Sequence, residues 1–313
     1  DQSNTLSCTD TMGIAFGDFD GNGWPDLYCT HTPVEPGNTL MMNNGDGTFV
    51  QRGPEYGVHG PMLSWGCAFF DHDNDGDLAL YVNNVTLPDA LLDYQGSWPA
   101  VDIGQQMDVK AEGRAYNIAL ADIDLDGDLD YMISLIPGDM KLYINHEGEK
   151  RNWVQFKVYG RGANQHAVGA LMSLRAGGHS QIAEIVSGAN NFRSQNELVR
   201  HFGLDDTCRV DEITVRWQNG DTRTLTGYPA NARYPIYPLA LLGDADGDGY
   251  VTVADLHGVA DKMGEVTPDS AIFDMDGDGT IGPADLSGLV QRAMKPGVGM
   301  TKSGPASVGL TRR

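Results

Sequence analysis

The sequence predicts a mainly β chain with three parts. They are a partial β-propeller of three blades over 1–150, a small β domain over 151–236 and a small α-helical module over 237–295, followed by a flexible tail, 296–313. Three observations carry this prediction. Asp-rich turns begin at Asp18, Asp71 and Asp122, separated by 53 and 51 residues, which is an internal repeat. Residues 151–236 alternate as strands but carry no acidic turn. Two further acidic turns, at Asp244 and Asp274, each run into an apolar-periodic segment.

In the first part each acidic turn lies between two apolar strands. Met12-Gly-Ile-Ala-Phe-Gly leads into Asp18-Phe-Asp20-Gly-Asn22-Gly-Trp24-Pro-Asp26, and Leu27-Tyr-Cys leaves it. Trp65-Gly-Cys-Ala-Phe-Phe leads into Asp71-His-Asp73-Asn-Asp75-Gly-Asp77-Leu-Ala79. Asn117-Ile-Ala-Leu-Ala leads into Asp122-Ile-Asp124-Leu-Asp126-Gly-Asp128-Leu-Asp130. Carboxylates packed this closely repel unless a cation sits among them. Calcium fits best, because it takes six to eight oxygens from a flexible loop and the glycine permits the sharp turn. Four strands per ~50 residues is the size of a propeller blade. Three blades do not close a ring, so upstream blades precede them, another chain covers the open edges, or the fold is a β architecture other than a propeller.

The turn Gly17-Asp-Phe-Asp-Gly-Asn-Gly-Trp-Pro-Asp-Leu27 and its two relatives resemble FG-GAP/VCBS repeats, the blades of integrin-type propellers. In that family, side chains at loop positions one, three, five and nine and the carbonyl at seven bind calcium. The resemblance implies Asp18, Asp20, Asn22, Asp26 and the Trp24 carbonyl at the first site. It implies Asp122, Asp124, Asp126, Asp130 and the Asp128 carbonyl at the third. The second departs from the pattern: Ala79 stands at position nine, leaving Asp71, Asp73, Asp75 and the Asp77 carbonyl, and this site is expected to be the weakest.

The middle part has strands at Trp153-Val-Gln-Phe-Lys-Val-Tyr and Glu212-Ile-Thr-Val-Arg-Trp217, the latter turning at Gln218-Asn-Gly-Asp. Its Gly169-Ala-Leu, His201-Phe-Gly-Leu and Val210-Asp-Glu-Ile-Thr-Val-Arg-Trp-Gln-Asn-Gly segments are similar to the ASPIC/UnbV module. That resemblance implies a compact β domain in a secreted protein and no known chemistry.

In the last part a carboxylate stands twelve residues into each loop, an EF-hand spacing with Asp for Glu. The ligand positions are Asp244, Asp246, Asp248, the Tyr250 carbonyl and Asp255, with Thr252 at position nine. In the second loop they are Asp274, Asp276, Asp278, the Thr280 carbonyl and Asp285, with Gly282 at position nine. Loop-then-helix, twice, resembles a type I dockerin, which implies attachment to a cohesin-like partner. Val253-Ala254 and Pro283-Ala284 replace the Ser-Thr pairs often found at dockerin contact positions.

The whole chain has 313 residues and a net charge of −22, with close to half of its 43 acidic residues in the five loops. Such a field disfavours nucleic acid and anionic membranes, and no apolar run is long enough to span a bilayer. The first residue, Asp1, suggests a processed product. Cys8, Cys29, Cys67 and Cys208 allow two disulfides in three pairings, or remain buried thiols. Nucleophile-elbow, zincin and Walker motifs do not occur. His72 is expected to face solvent and His201 to be a satisfied buried histidine. Asn84-Val-Thr86 is a glycosylation sequon. The expectation is a secreted, non-enzymatic calcium protein. It would present an adhesion surface to a protein or polysaccharide, attached through its C-terminal module. An extracellular assembly joined by self-association of open blade edges is the alternative. A polysaccharide hydrolase would need a carboxylate pair uncommitted to metal.

Overall fold

The computed structural model describes residues 10–32, 37–60, 63–110, 113–188, 194–245 and 251–294. Asp246, Asp248, Tyr250, Cys8 and the 296–313 tail lie outside them. The first sheet is a meander of β1 (Thr11–Gly17), β2 (Asp26–His31), β3 (Thr39–Asn43) and β4 (Phe49–Gln51). A single helical turn, α1 (Gly53–Tyr56), follows. The second sheet repeats the pattern with β5 (Ser64–Phe70), β6 (Ala79–Asn84), β7 (Ala90–Asp93) and β8 (Val101–Asp102). The third has three strands, β9 (Arg114–Ala121), β10 (Asp130–Ile136) and β11 (Met140–Tyr143).

Register places the three acidic hairpins identically. Gly17 pairs with Asp26, Phe70 with Ala79 and Ala121 with Asp130. The ninth loop position is thus the first residue of the outgoing strand in each of these three sheets. Neighbouring blades approach through their innermost strands. A Cβ at Gly13 would lie 2.3 Å from the Trp65 carbonyl oxygen, and one at Gly66 would lie 2.9 Å from that of Tyr116. Both glycines stand five residues before the first aspartate of their loop, so close inter-blade contact is written into the repeat.

The middle part contains β12 (Asn152–Val158), β13 (Leu171–Ala176), β14 (His179–Glu184), β15 (Arg200–Asp205), β16 (Glu212–Arg216), β17 (Thr222–Thr226) and β18 (Ala232–Ile236). These strands interleave into two sheets, ordered β15-β12-β18 and β14-β13-β16-β17, with β12 parallel to β18. Their inward residues, among them Phe156, Met172, Phe202, Ile213, Val215 and Tyr234, share one core.

This arrangement corrects the expected partial propeller. Five sheets of three or four strands surround one cavity of about 870 Å³, and every one of them contributes lining residues, from Phe16, Phe69 and Leu120 to Gln155, Ser173 and Thr214. The molecule is a full five-bladed ring. Blades counted by acidic turns number three; the last two blades carry no such turn and come from the segment expected to be a separate domain. The third and fourth sheets are joined by hydrogen bonds from Glu197 N to the Leu120 carbonyl (3.1 Å) and from Leu120 N to Asn196 Oδ1 (3.0 Å).

The expected α-helical module is also corrected. The segment after Asp255 forms only short 3-10 turns, Asp255–Gly258 and Ala260–Lys262. The sole longer helix described is α2 (Pro283–Ala293), preceded by the two-stranded pair β19 (Gly264–Glu265) and β20 (Thr280–Ile281). The second segment opens on Pro283, whose fixed φ favours a helix start, whereas the first has Val253 at that position. Val259, Val266, Phe273, Ile281 and Leu289 are buried in the same core as the fourth and fifth sheets. A free-standing two-helix unit, the basis for a cohesin-like partner, is not formed among the described residues.

No helix of the described residues is long and apolar enough to cross a membrane. Cys67 and Cys208 carry free thiols, so the two-disulfide arrangement is not formed, and Cys29 is buried beside Cys67. The sequon residue Asn84 is buried; its amide donates to the Pro88 carbonyl (2.8 Å) and its oxygen accepts from Ser64 (2.7 Å), so it offers no glycan acceptor in the fold.

Candidate metal centres

In the first loop Asp18, Asp20 and Asp26 bring carboxylate oxygens within 4.8 Å of one another; in the third, Asp122, Asp124 and Asp130 do the same. Asp26 and Asp130 play one structural role. Asp26 accepts the N–H groups of Phe19 (2.9 Å) and Asn43 (2.8 Å), and Asp130 accepts those of Ile123 and Asn145 (2.8 Å each). Each carboxylate therefore ties the start of its loop to the end of the third strand or the turn just after it. Asp18 accepts from Asn22 N and Gly23 N, closing the turn. Asn22 accepts from Trp24 N (2.8 Å), and the Trp24 ring is half exposed.

The second loop groups Asp71, Asp73 and Asp75. With Ala79 in place of a carboxylate, it is held differently. Arg151 donates to the Asp73 carboxylate and to the Asp73 carbonyl (2.9 Å), and its Nε lies 3.1 Å from Asp205 Oδ1. Asn74 donates to the carbonyls of Gly127 (3.1 Å) and Gly148 (3.0 Å) and accepts from His201, while Asp205 N donates to the Asn74 carbonyl (2.9 Å). This loop is a junction between the second, third and fourth sheets. Neither Arg151 nor Asn74 shows in the repeat pattern, because their partners lie more than 50 residues away. His72, expected in solvent, is buried 3.7 Å from both Asp73 and Asp93.

In the last part Asp274, Asp276 and Asp278 converge. Asp285 stands apart from them: it accepts Met275 N (2.6 Å) and Gly282 N (2.8 Å), the latter tying the N-cap amide to the first turn of α2. Asp255 accepts Ala245 N (2.8 Å) and Thr252 N (2.7 Å) in the same manner. The twelfth-position carboxylates thus clasp both loops alike. Asp274 further accepts the Tyr228 hydroxyl (2.7 Å), and Thr280 donates to Asp278. At the Asp244 loop, Asp246, Asp248 and Tyr250 lie outside the described residues.

Electrostatics marks these loops as needing positive charge. Burial first, then neighbouring acids, pushes Asp26 and Asp128 up to about 7 and Asp75 to about 6, and raises Asp18, Asp71 and Asp130. Buried oxygens Asp71 Oδ1, Asp73 Oδ1 and Asp122 Oδ1 have no hydrogen-bond partner. Leaving a buried carboxylate oxygen unpaired is costly. An all-oxygen donor set with orphaned buried oxygens fits a hard dication. One grouping falls outside the expected ligand sets. Asp126 converges with His146 and Glu149 rather than with the rest of its loop, and the Asp77 and Asp128 side chains join no cluster.

The comparisons with known proteins follow this division of the chain. The ASPIC and UnbV family pattern matches residues 160–239, and the FG-GAP-like repeat pattern matches 18–82. An ASPIC/UnbV-like domain thus follows an FG-GAP-like repeat region. Cartilage acidic protein 1 of Homo sapiens is 23% identical over 227 residues, covering 66% of this chain and 33% of that protein. The Mus musculus protein of that name is 23% identical over 228 residues and the Xenopus tropicalis one 25% over 227, each with 66% of this chain and 34% of the relative. The chain spans about a third of the length of these curated relatives and is distantly related to them. The ASPIC/UnbV-like match begins within the fourth sheet's segment, so the boundary between the two patterns falls inside the ring.

Proposed function

We propose that this chain is a secreted, non-enzymatic scaffold whose five-bladed ring is held shut by calcium and presents a binding surface to extracellular protein or polysaccharide. The observation that carries the reading is the repeated hairpin: one register, one ninth-position carboxylate clasp, and buried acid oxygens with no donor. Calcium would be held by Asp18, Asp20, Asn22, Asp26 and the Trp24 carbonyl, and by Asp122, Asp124 and Asp130. Asp71, Asp73 and Asp75 form the weakest site, where Arg151 already supplies one positive charge. Asp274, Asp276, Asp278 and the Thr280 carbonyl form another, and Asp244, Asp246, Asp248 and the Tyr250 carbonyl the last. Asp255 and Asp285 act as clasps rather than sole ligands. Bound only in the folded loop, the ion stabilises by mass action. The acidity shared with relatives named for it, a pI near 4.5 here, supports this reading. Metal analysis after dialysis against calcium tests it: three to five calcium ions per chain are expected, and fewer than one would refute it.

A second reading has one observation in its favour. The third sheet has only three strands, and its edge strand β11 and neighbour β10 expose Met140, Leu142 and Met132. Unpaired apolar edges associate, and this one suits self-association into an extracellular assembly. A monomer by sedimentation in calcium would remove that reading.

A further inference from the structure

The cavity at the centre of the ring has walls of two kinds. One wall is aromatic. Phe16, Phe69 and Leu120 hold the same place in the repeat, two residues before the first aspartate of their loops. Phe69 packs on Phe19 at 5.1 Å and Leu120 is buried, whereas Phe16 is 50% exposed, as is Trp24 of the same hairpin. Both open rings line the cavity. The other wall is the outward face of the fifth sheet. Register sets Glu184, Leu171, Arg216 and Thr222 in one row across its strands, with Ser173 and Thr214 in the next row. All of these line the cavity and none is buried. Glu184 and Arg216 flank Leu171 and stand about 10 Å apart, two strand spacings.

Two arginines reach this cavity without a carboxylate partner. Arg175 pairs with Glu212 (3.1 Å) and Arg233 with Glu197 (2.8 Å), but among the described residues no ion pair takes Arg200 or Arg216. Arg200 Nε donates to the Glu184 carbonyl (2.7 Å), while its Nη2 is buried with no hydrogen-bond partner. A buried donor left unpaired is costly. In a chain with 43 acidic and 21 basic side chains, unclaimed guanidinium donors point to a ligand that accepts hydrogen bonds. A net anion would also meet Glu184 and the acidic turns, and a net cation would meet Arg200 and Arg216. A hydroxyl group donates and accepts, so it suits both signs of charge. A pyranose ring adds a C–H face whose slightly positive hydrogens pack on the negative face of an aromatic ring. The volume, about 870 Å³, is that of a small-ligand site.

We propose that this cavity binds a short neutral oligosaccharide segment. The sugar rings stack on Phe16 and Trp24, and their hydroxyls bond Arg200, Arg216, Glu184 and the Ser173 and Thr222 hydroxyls. This names the ligand class of the extracellular binding role proposed above and rests on that role.

The test is a titration of the full chain in saturating calcium with neutral gluco-, manno- and galacto-trisaccharides, followed by ligand-observed NMR and tryptophan fluorescence. Glucuronate and glucosamine oligomers serve as charged controls. Saturable one-to-one binding of a neutral trisaccharide is expected, with a change in tryptophan emission. Phe16→Ala and Arg216→Ala should each weaken it about tenfold or more, and Phe16→Trp should retain it. Calcium count and melting temperature, measured on the same samples, should match the parent in all three variants. The proposal is overturned if no neutral trisaccharide binds saturably, if only the charged oligomers bind, or if both alanine variants bind as tightly as the parent. Absence of sugar binding in a chain that holds its calcium would strike this proposal and leave the calcium-held ring intact. Sugar binding in a chain that takes up no calcium would support this site and strike the calcium reading.

Discussion

His201 shows how one side chain reports on its surroundings. Its Nε2–H donates to Asn74 Oδ1, Gln155 Nε2 lies 3.4 Å from its Nδ1, and Trp153 stacks on the ring. Burial, aided by Arg233, pushes its pKa down to about 3. The unfolded chain binds this proton near pH 6.5 and the folded chain does not. Stability is therefore present above about pH 6.5 and lost as pH falls toward 3, by up to about 1.4 kcal/mol per pH unit from this group. In calcium, His201→Gln should flatten the stability profile between pH 6.5 and 4.5 by denaturant titration. An unchanged slope would show that His201 is not held neutral. Charge at the acidic loops is read the same way. In calcium, Asp124→Ala should lower stability more than Asp73→Ala, because the second loop lacks a ninth carboxylate and so holds its ion more weakly. The reverse order in thermal melts would contradict the ranking of sites.

At the element scale, the acidic hairpins were legible in the sequence because their chemistry is local. Alternating aspartates and the flanking apolar strands fix both the turn and the register. The junction around Asn74 and Arg151 was not, since each residue acts on partners distant in sequence. Arg151→Ala should destabilise the chain by about 1–2 kcal/mol in denaturant melts, having lost bonds to both Asp73 and Asp205. Gly66→Ala tests the inter-blade approach. The added methyl would meet the Asn83 side chain and the backbone of 116–117, and a loss of about 1–3 kcal/mol is expected. A neutral outcome would show that the blades can spread. The first C-terminal loop shows the opposite failure of sequence reading. Its spacing matches a calcium loop, but the segment behind it lacks a proline at the helix start and forms short 3-10 turns in place of the helix its apolar pattern suggests.

Across the whole molecule, the blade count eluded the sequence because the last two sheets interleave strands from distant positions and carry no repeat signature. One core joins them to the C-terminal segment, so that segment is not expendable. Leu289, fully buried, should cost about 2–5 kcal/mol when changed to Ala, and the loss should appear in the same unfolding transition as the rest of the ring. A separate low-temperature transition would instead mark an autonomous module. The most direct test of the account compares melting temperature in millimolar calcium with that in excess chelator. At hundredfold excess over Kd, each site contributes about 2.7 kcal/mol. Two filled sites therefore predict a fall of about 8 °C on chelation. Coincident melting curves would mean that the folded acidic loops need no ion.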